Sequence, residues 1–165
     1  LPADTRREIL APEAPLVFVD TAAIDAPGRQ RPGSHSRENP REAGLVAQLA
    51  TDLMSAGVAA SDLAIISPYH DQVNRIDDQL EVEDLEVDTV DGFQGREKEV
   101  VLVSLVRSND RGEIGFLDEP RRFNVALTRA RRKAVVVGDA DTVGESAVFG
   151  ALIRYAGVNG RTVSL

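Results

Sequence analysis

Two segments of the chain carry the residue types that suit the binding of phosphate. Residues 89–97 read Thr-Val-Asp-Gly-Phe-Gln-Gly-Arg-Glu, and residues 121–132 read Arg-Arg-Phe-Asn-Val-Ala-Leu-Thr-Arg-Ala-Arg-Arg. Glycines let main-chain amides approach an anion closely, and guanidinium groups make paired hydrogen bonds to phosphoryl oxygens. Together the two segments indicate nucleotide chemistry.

The sequence lacks the phosphate-binding loop Gly-x-x-x-x-Gly-Lys-[Ser/Thr]. Its only two lysines, Lys98 and Lys133, do not follow a glycine. Because that loop holds the phosphates in P-loop NTPases, we expect the loop to lie elsewhere than in this sequence.

The glycine-containing segment has two interpretations. Its glycines can serve only the geometry of a tight connection between two strands. Gln94 and Glu97, however, add polar groups that such a turn does not need. A carboxylate here can accept hydrogen bonds from ribose hydroxyls, and Thr89 or Ser67 can bond a nucleic-acid phosphate from the end of a strand.

The arginine-rich segment predicts an amphipathic helix over about residues 120–130. The apolar face is formed by Phe123, Ala126, Leu127 and Ala130, and the opposite face by Arg121, Arg122, Arg129 and Arg132. Arg122 and Arg129 are two turns apart and nearly aligned. The arginines form either an ordinary solvated face or a surface that stabilises charge on a transferring phosphoryl group. Six bases without an acid over residues 121–133, in a chain of net charge -8, favour the second interpretation.

Apolar runs that predict strands alternate with helical patterns along the chain. We predict strands at residues 16–20, 63–67, 86–90, 100–106 and 134–138. We predict helices over residues 39–57, through residues 73–80, and near residues 120–130 and 146–155. Residues 26–36 read as a loop, and residues 1–14 as a flexible lead-in to one domain with its core over about residues 15–158. This alternation predicts a doubly wound α/β sheet whose ligands gather at the carboxyl ends of strands, where both special segments fall.

The helix over residues 39–57 has the clearest start. Asn39 can cap it, Pro40 fits its first position, and Glu42 completes a spacing like that of a capping box. Gly57 is the expected stop.

The composition excludes several classes of function. The chain has no cysteine, so disulfides and thiolate metal sites are excluded, and His35 and His70 are too far from any ligand cluster to predict a metal site. No apolar run approaches the roughly 18–20 residues of a membrane span, and the start lacks a signal-peptide pattern. We therefore expect a cytoplasmic protein without a membrane partner. The acidic balance argues against a simple sequence-independent binder of nucleic acid.

The two special segments and the sequence between them resemble motifs V and VI of superfamily 1 helicases. The resemblance is carried by residues 89–99, by Ser-Leu-Val-Arg-Ser-Asn at 104–109, by Gly-Phe-Leu at 115–117 and by residues 121–131. Residues 65–72, Ile-Ile-Ser-Pro-Tyr-His-Asp-Gln, resemble the strand-to-helix junction that precedes motif V. The similarity is highest to the branch that contains the nonsense-mediated-decay helicase and the immunoglobulin-mu-binding helicase.

This resemblance implies a second, C-terminal RecA-like domain: a three-layer fold with a mainly parallel sheet and helices on both faces, without its own P-loop. It implies that ATP binds between this domain and an N-terminal RecA-like domain, which supplies the ligands of Mg²⁺. The nucleotide contacts expected from it and from the residue types are Glu97, Gln94, Gly95, Arg129 and Arg122. Arg129 is implied to be the catalytic arginine finger, and Gln94 to relay the state of ATP to the nucleic acid. The contacts expected for single-stranded DNA or RNA are Thr89, Ser67, Pro68 and Tyr69.

The leading hypothesis is the C-terminal motor domain of an ATP-dependent helicase or translocase. The chain is expected to be a piece of a longer protein and to be inactive alone, because the Walker lysine and the metal-holding acids are absent. The alternative is a non-hydrolysing module that binds nucleic acid or protein and retains the fold. An oxidoreductase is excluded, because no Gly-x-Gly-x-x-Gly follows the first strand.

Overall fold

The central sheet is built from the short apolar strands that the sequence predicts. The computed structural model describes residues 1–93 and 96–165, and only the backbone of Phe116, Asp118 and Pro120. The strands are β1 (Leu16–Asp20), β2 (Arg29–Gln30), β3 (Arg37–Glu38), β4 (Leu63–Ser67), β5 (Glu86–Thr89), β6 (Lys98–Ser104), β7 (Ala130–Gly138) and β8 (Arg161–Ser164). Strands β2 and β3 form a separate antiparallel pair. The other strands form one sheet in the order β5-β4-β6-β7-β1-β8, in which every neighbouring pair is parallel.

Helices cover both faces of this sheet. They are α1 (Ala3–Leu10), α2 (Pro40–Ser55), α3 (His70–Leu80), α4 (Pro120–Leu127), α5 (Ala140–Val143) and α6 (Ala147–Asn159). One core contains buried residues of α1, α2 and α3, and the other contains buried residues of α4, α5 and α6. Successive strand residues alternate between the two cores, as Val17 and Phe18 do. The predicted three-layer α/β fold is confirmed.

Helix α2 begins where the sequence predicts, but half of its predicted capping box is absent. The Asn39 side chain accepts a hydrogen bond from the backbone N–H of Glu42 at 3.0 Å, and Pro40 opens the helix. The Glu42 carboxylate does not bond back to the Asn39 N–H, which donates to Gln72 Oε1 at 2.8 Å instead. Glu42 points into the interior and accepts other donors there. Gly57 follows the helix with a φ of 104°, as its role as a stop requires.

Two predicted boundaries around the arginine-rich segment are wrong. Helix α4 ends at Leu127 rather than near residue 130. Strand β7 starts at Ala130, because its first residues pair with β6 from Lys98 onward. The strand expected at residues 100–106 occupies residues 98–104 instead, and Val106 has a φ of 71° that no regular strand allows.

The chain also forms elements that the sequence did not predict. The lead-in expected to be flexible contains α1, whose Ile9 is buried. The Lys133 ammonium group donates to the carbonyls of Ala11 and Ala14 at 2.9 and 2.7 Å and so ties the end of the lead-in to β7. One buried apolar residue in α1 is too weak a periodic signal to predict a helix from sequence. Strand β8 and the β2–β3 pair were likewise not predicted.

Candidate functional site

The loop between β5 and β6 joins opposite edges of the sheet. Strand β5 ends at Thr89, which is level with Ser67 at the carboxyl end of β4. Strand β6 begins at Lys98, directly after Glu97, and runs parallel to β4. Thr89 and Glu97 are thus separated by the seven residues of β6. That length corresponds to roughly 23 Å at about 3.3 Å per residue.

The prediction that both phosphate-suited segments lie at carboxyl ends of strands is wrong for Glu97 and Arg129. Glu97 directly precedes β6, and Arg129 directly precedes β7, so both lie at the amino edge. The reason is that β5 ends at Thr89 at the carboxyl edge, whereas the parallel strand β6 begins at Lys98 at the amino edge. Phe93, in the loop that joins these strands, is fully buried in the core.

Arg96 fastens the described part of this loop to β5. Its guanidinium group pairs with Glu86 and, at 3.5 Å, with Asp88, and it donates to the Gly92 carbonyl at 2.6 Å. The same group lies over the ring of Phe93, 4.9 Å from the centroid. Gln94 and Gly95, which the sequence analysis assigned to the nucleotide site, lie outside the described residues.

At the amino edge the structure brings Glu97 and Arg129 together. The N–H of Lys98, the residue after Glu97, donates to the Arg129 carbonyl at 2.9 Å. The Arg129 side chain donates to the Val125 carbonyl at 3.2 Å and to Thr128 Oγ1 at 3.3 Å. Among the side chains that the structure describes, no carboxylate forms an ion pair with Arg129. Its charge is therefore available to an anion from outside the domain.

Glu97 is also accessible, although it has a partner. Its Oε2 accepts a hydrogen bond from Arg131 Nε at 3.1 Å, and the two side chains are 49% and 60% exposed. An ion pair this exposed is weak and exchanges readily with other partners. Glu97 can therefore turn to a hydroxyl ligand at small cost.

Arg122 does not join this group. Because α4 ends at Leu127, the predicted alignment of Arg122 with Arg129 on one helix is wrong. Arg122 lies near the start of α4 and pairs with Glu119 at 3.2 Å and with Asp91, in the loop after β5, at 3.4 Å. Asp91 follows the carboxyl end of β5 by two residues, so Arg122 belongs to the carboxyl side of the domain.

At the carboxyl edge the structure gathers the four residues predicted to contact nucleic acid, but it buries two of them. Ser67 is fully buried, and its hydroxyl donates to the Ser104 carbonyl at 3.1 Å. Tyr69 is 3% exposed, and its hydroxyl accepts a hydrogen bond from Arg107 Nε at 2.7 Å. Pro68 and Thr89 are partly exposed. The two buried side chains support this edge, and the other two offer surface to a ligand.

A buried polar network that the sequence did not predict lies beneath this edge. Glu42 Oε1 accepts from the Ser104 hydroxyl at 2.6 Å and from the Val106 N–H at 2.8 Å. Gln72 donates to Ser104 Oγ at 2.9 Å and accepts from the Asn39 N–H at 2.8 Å. Burial raises the pKa of Glu42 to about 7, although these hydrogen bonds oppose the rise. The sequence indicates only a helix cap for Glu42, because it does not show which way a side chain near a helix start turns.

A tight turn follows β6 and orients Arg107. The N–H of Arg107 donates to the Leu105 carbonyl at 2.8 Å across Val106, whose φ is 71°. This is a γ-turn with a β-branched residue in the left-handed region, a strained conformation. Its only signal in the sequence is the Ser-Leu-Val-Arg-Ser-Asn segment, to which the motif resemblance assigns no role.

Two searches of the described residues add to this picture. None of the described helices is long and apolar enough to cross a membrane. Among the same residues, no group of three or more His, Asp or Glu side chains has an arrangement that holds a metal ion.

Comparisons with known proteins identify the family. Residues 2–141 match the profile of the AAA_12 family, described as an AAA domain. The chain is 46% identical over 143 residues to the DNA-binding protein SMUBP-2 of Mus musculus, a match that covers 86% of this chain and 14% of that protein. It is 47% identical over 112 residues to the DNA polymerase alpha-associated DNA helicase A of Saccharomyces cerevisiae, covering 66% of this chain and 16% of that protein. It is 41% identical over 133 residues to the DNA replication ATP-dependent helicase/nuclease DNA2 of Homo sapiens, covering 79% and 12%.

A solved structure agrees in fold. The C-terminal domain of a possible DNA helicase from Lactobacillus plantarum WCFS1 superposes with a TM-score of 0.51 at 15% identity, and the match covers 82% of both chains. The chain spans about a seventh of the length of the curated relatives it matches, as the 14% for mouse SMUBP-2 illustrates. The chain therefore belongs to the AAA_12 family of AAA domains, and it is a superfamily 1 helicase domain with a RecA-like fold.

Proposed function

We propose that this chain is the C-terminal motor domain of an ATP-dependent helicase or translocase. One observation carries the proposal: a single short loop connects Thr89, at the edge suited to nucleic acid, with Glu97, which lies beside Arg129 at the opposite edge. A motor needs such a connection between the site that binds nucleotide and the site that holds the strand. The longer protein proposed to contain the chain is called the parent protein below.

The amino edge is proposed to complete an ATP site whose other wall belongs to the N-terminal RecA-like domain. Arg129 carries a charge that no carboxylate of the described chain neutralises, which suits an arginine finger on the γ-phosphate. Glu97 is placed to accept hydrogen bonds from the ribose hydroxyls. Gln94 and Gly95 remain predicted contacts of the same site. Arg122 is omitted from it, because it lies at the other end of α4.

The phosphate-binding lysine and the ligands of Mg²⁺ are assigned to the N-terminal domain. With only this half present, Arg129 has no triphosphate to act on, because the groups that position the phosphates and hold the metal are missing. We therefore expect no turnover by this chain alone.

The carboxyl edge is proposed to hold single-stranded nucleic acid through its backbone. Thr89 and Pro68 are the exposed contacts, and the buried Ser67 and Tyr69 fix their positions. Backbone contacts position a strand without reading its sequence. Because the relatives are named DNA helicases or DNA-binding proteins, DNA is the strand to test first.

The loop supplies the proposed coupling between the two sites. Phe93 is buried, and Arg96, beside Glu97, pairs with Glu86 and Asp88 of β5, so we infer that a displacement of Glu97 acts on β5, which ends at Thr89. Closure of the domains around ATP would thus change the grip on the strand.

The test is an ATPase measurement on the parent protein and on this chain, each with and without single-stranded DNA. We expect the parent protein to hydrolyse ATP, the strand to accelerate it, and this chain alone to be inactive. Turnover by this chain alone would overturn the two-domain site. A parent protein that binds the strand without hydrolysing ATP would favour the non-hydrolysing binding module instead.

A further inference from the structure

Arg107 is a largely buried cation that forms no ion pair with a described carboxylate. Its side chain is 8% exposed, and its Nε donates to the Tyr69 hydroxyl at 2.7 Å while its guanidinium group lies 5.7 Å from the centre of the Tyr69 ring. No carboxylate of the described residues forms an ion pair with it, and its two terminal nitrogens have no hydrogen-bond partner there. Removing a charge from water without a partner is costly. The terminal nitrogens are not among the fully buried atoms that lack a partner, so they keep access to the surface, where an anion can reach them.

The backbone around Arg107 is built to hold it in this position. The strained γ-turn at Val106 directs the side chain, and the Val106 N–H is held by buried Glu42 at 2.8 Å. Gly115, at a φ of 58°, provides the space, because a Cβ atom there would collide with the guanidinium group. Strain of this kind persists where the surrounding structure fixes it, and it is concentrated at functional sites.

A second arginine, Arg37, follows Ser36, which is bonded to α3 close to Tyr69. Burial raises the pKa of Tyr69, while the Arg107 hydrogen bond and the charges of Arg107 and Arg37 oppose the rise, so Arg37 also lies within electrostatic reach of this hydroxyl. Arg37 ends the loop before α2, and the neighbouring Ser36 accepts the Asp71 N–H at 3.2 Å, which fixes the loop on α3. Arg37 forms no ion pair with a described carboxylate, that of Asp71 included.

Two neighbouring arginines, Arg29 and Arg75, carry charges that a carboxylate of the chain neutralises. Arg29 and Arg75 both pair with Glu38, at 3.0 and 2.7 Å, and Glu38 is 1% exposed. Burial alone would raise the pKa of Glu38, but the two arginines lower it below its ordinary value, so the carboxylate stays charged and neutralises them. Arg37 and Arg107 have no such carboxylate among the described residues, and neither has the exposed Arg31.

We propose that Arg107, which is bonded to the Tyr69 hydroxyl, and Arg37 form a binding site for one backbone phosphate of the single strand. Two guanidinium groups offer the paired donors that phosphate oxygens accept. The site lies at the same carboxyl edge as Pro68 and Thr89, so it extends the proposed strand contact from β5 across to the end of β6. It rests on the proposed function, because only a strand-binding edge supplies a phosphate there.

The test compares strand binding by the parent protein and its variants Arg37→Gln and Arg107→Lys. Each variant should weaken binding of a labelled oligothymidylate about tenfold. With Arg37→Gln, the slope of log affinity against log salt should fall by about 0.7 for one lost phosphate contact, whereas Arg107→Lys keeps its charge and should keep the slope. The matched controls are Arg29→Gln, whose charge Glu38 already neutralises, and Arg154→Gln, an exposed arginine of α6. Both controls should keep the wild-type slope.

Tyrosine fluorescence of this chain gives a direct readout of the site. The chain has no Trp and two Tyr, and Tyr155 is 59% exposed, so the Tyr155→Phe variant leaves Tyr69 as the sole emitter. Oligothymidylate should change its emission, and Arg37→Gln should abolish that change. A purely structural role of Arg37 would leave the change intact.

The outcomes separate this inference from the proposed function. If the wild-type parent protein does not bind the strand, the proposed function fails. If it binds and both arginine variants keep its affinity and slope, only the phosphate site is refuted. If inorganic phosphate changes the Tyr69 emission and oligothymidylate neither does so nor competes, the site takes a free anion and the strand assignment is overturned. Should Arg107→Lys fail to fold, Arg37→Gln decides, because Arg37 is partly exposed.

Discussion

The two edges of the sheet are built differently. At the amino edge, Glu97 and Arg131 form an ion pair in which both side chains are about half exposed, and the Arg129 side chain bonds, among the described residues, only to Val125 and Thr128 of its own segment. At the carboxyl edge, Ser67, Tyr69 and the Glu42 network are buried and hydrogen-bonded. The amino edge is charged and exposed, whereas the carboxyl edge is held in place by buried hydrogen bonds.

The difference indicates how the geometry of each edge becomes fixed. Exposed charges are held weakly, so under the proposed function the amino edge would acquire its geometry when the N-terminal domain and a nucleotide meet it. A strand on the carboxyl edge would instead gain from contacts already in place, because their ordering entropy would not be lost at each step. The predictions below test this contrast, beginning with the largest effect.

Arg129→Ala in the parent protein should give the largest effect. We expect kcat for ATP hydrolysis to fall by roughly 10³-fold or more, the range for arginine fingers, because the charge acts on the transferring phosphoryl group. Nucleotide affinity should change far less. The matched control is Arg132→Ala, whose partner is Glu99 at 2.7 Å. Steady-state kinetics and nucleotide titration measure both quantities, and an unchanged kcat would refute the assignment of the finger.

Glu42→Gln should make the carboxyl edge less sensitive to pH. The folded pKa of about 7 lies above the ordinary value of 4.5, so the folded state binds the proton more tightly and loses stability as the pH rises between these values. The loss is on the order of 3 kcal/mol. The substituted amide would keep an oxygen acceptor for Ser104 and Val106, so the variant should be the more stable at high pH.

Urea unfolding of this chain at low and high pH measures that change. The control is Glu145→Gln, which replaces an exposed carboxylate and should leave the pH dependence as it is. If Glu42→Gln retains the wild-type pH dependence, Glu42 is not the titrating group, and the contrast between the edges loses its electrostatic basis.

Thr89→Val should weaken the binding of single-stranded DNA and leave the binding of nucleotide unchanged. Loss of one hydroxyl contact should reduce affinity for single-stranded DNA by about five- to tenfold. Thr89→Ser retains the hydroxyl, including its acceptance of the Gly92 N–H at 3.1 Å, and should bind as the wild type does. Strand and nucleotide titrations of the parent protein are the measurements. Equal losses in both would show that the two edges are not separate sites.

Glu97→Gln should give the smallest effect, and only on the nucleotide. We expect KM for ATP to rise about three- to fivefold through a weaker hydrogen bond to ribose. Thermal unfolding should not shift, because the ion pair with Arg131 is exposed. Glu99→Gln, which removes another Arg131 partner, is the control. If only Glu99→Gln raises KM, the ribose contact belongs to Glu99 rather than to Glu97.

Much of the fold could be predicted from the sequence. The strands at residues 16–20 and 63–67 have the predicted bounds, because apolar runs between turn residues report local structure directly. The start of α2 was also predicted, since Asn39 and Pro40 act on the nearest backbone groups. The end of α4 was not, because the pairing of Ala130 with Lys98 on β6 took the following residues into a strand.

The candidate site was predicted in part. Thr89, Glu97 and Arg129 stood out by residue type and motif, and the structure places all three at sheet edges. Arg37 and Arg107 did not stand out, since their significance depends on which carboxylates are absent around them in the described part of the chain.

The sequence by itself determined the residue types, the alternation of strands and helices, and the family. The tertiary structure alone decided that Thr89 and Glu97, eight positions apart in one motif, serve opposite edges, and that Glu42 turns inward. The physical reason is that residue type and periodicity act over a few neighbouring residues. Sheet register and burial, in contrast, depend on strands and side chains that are distant in the chain.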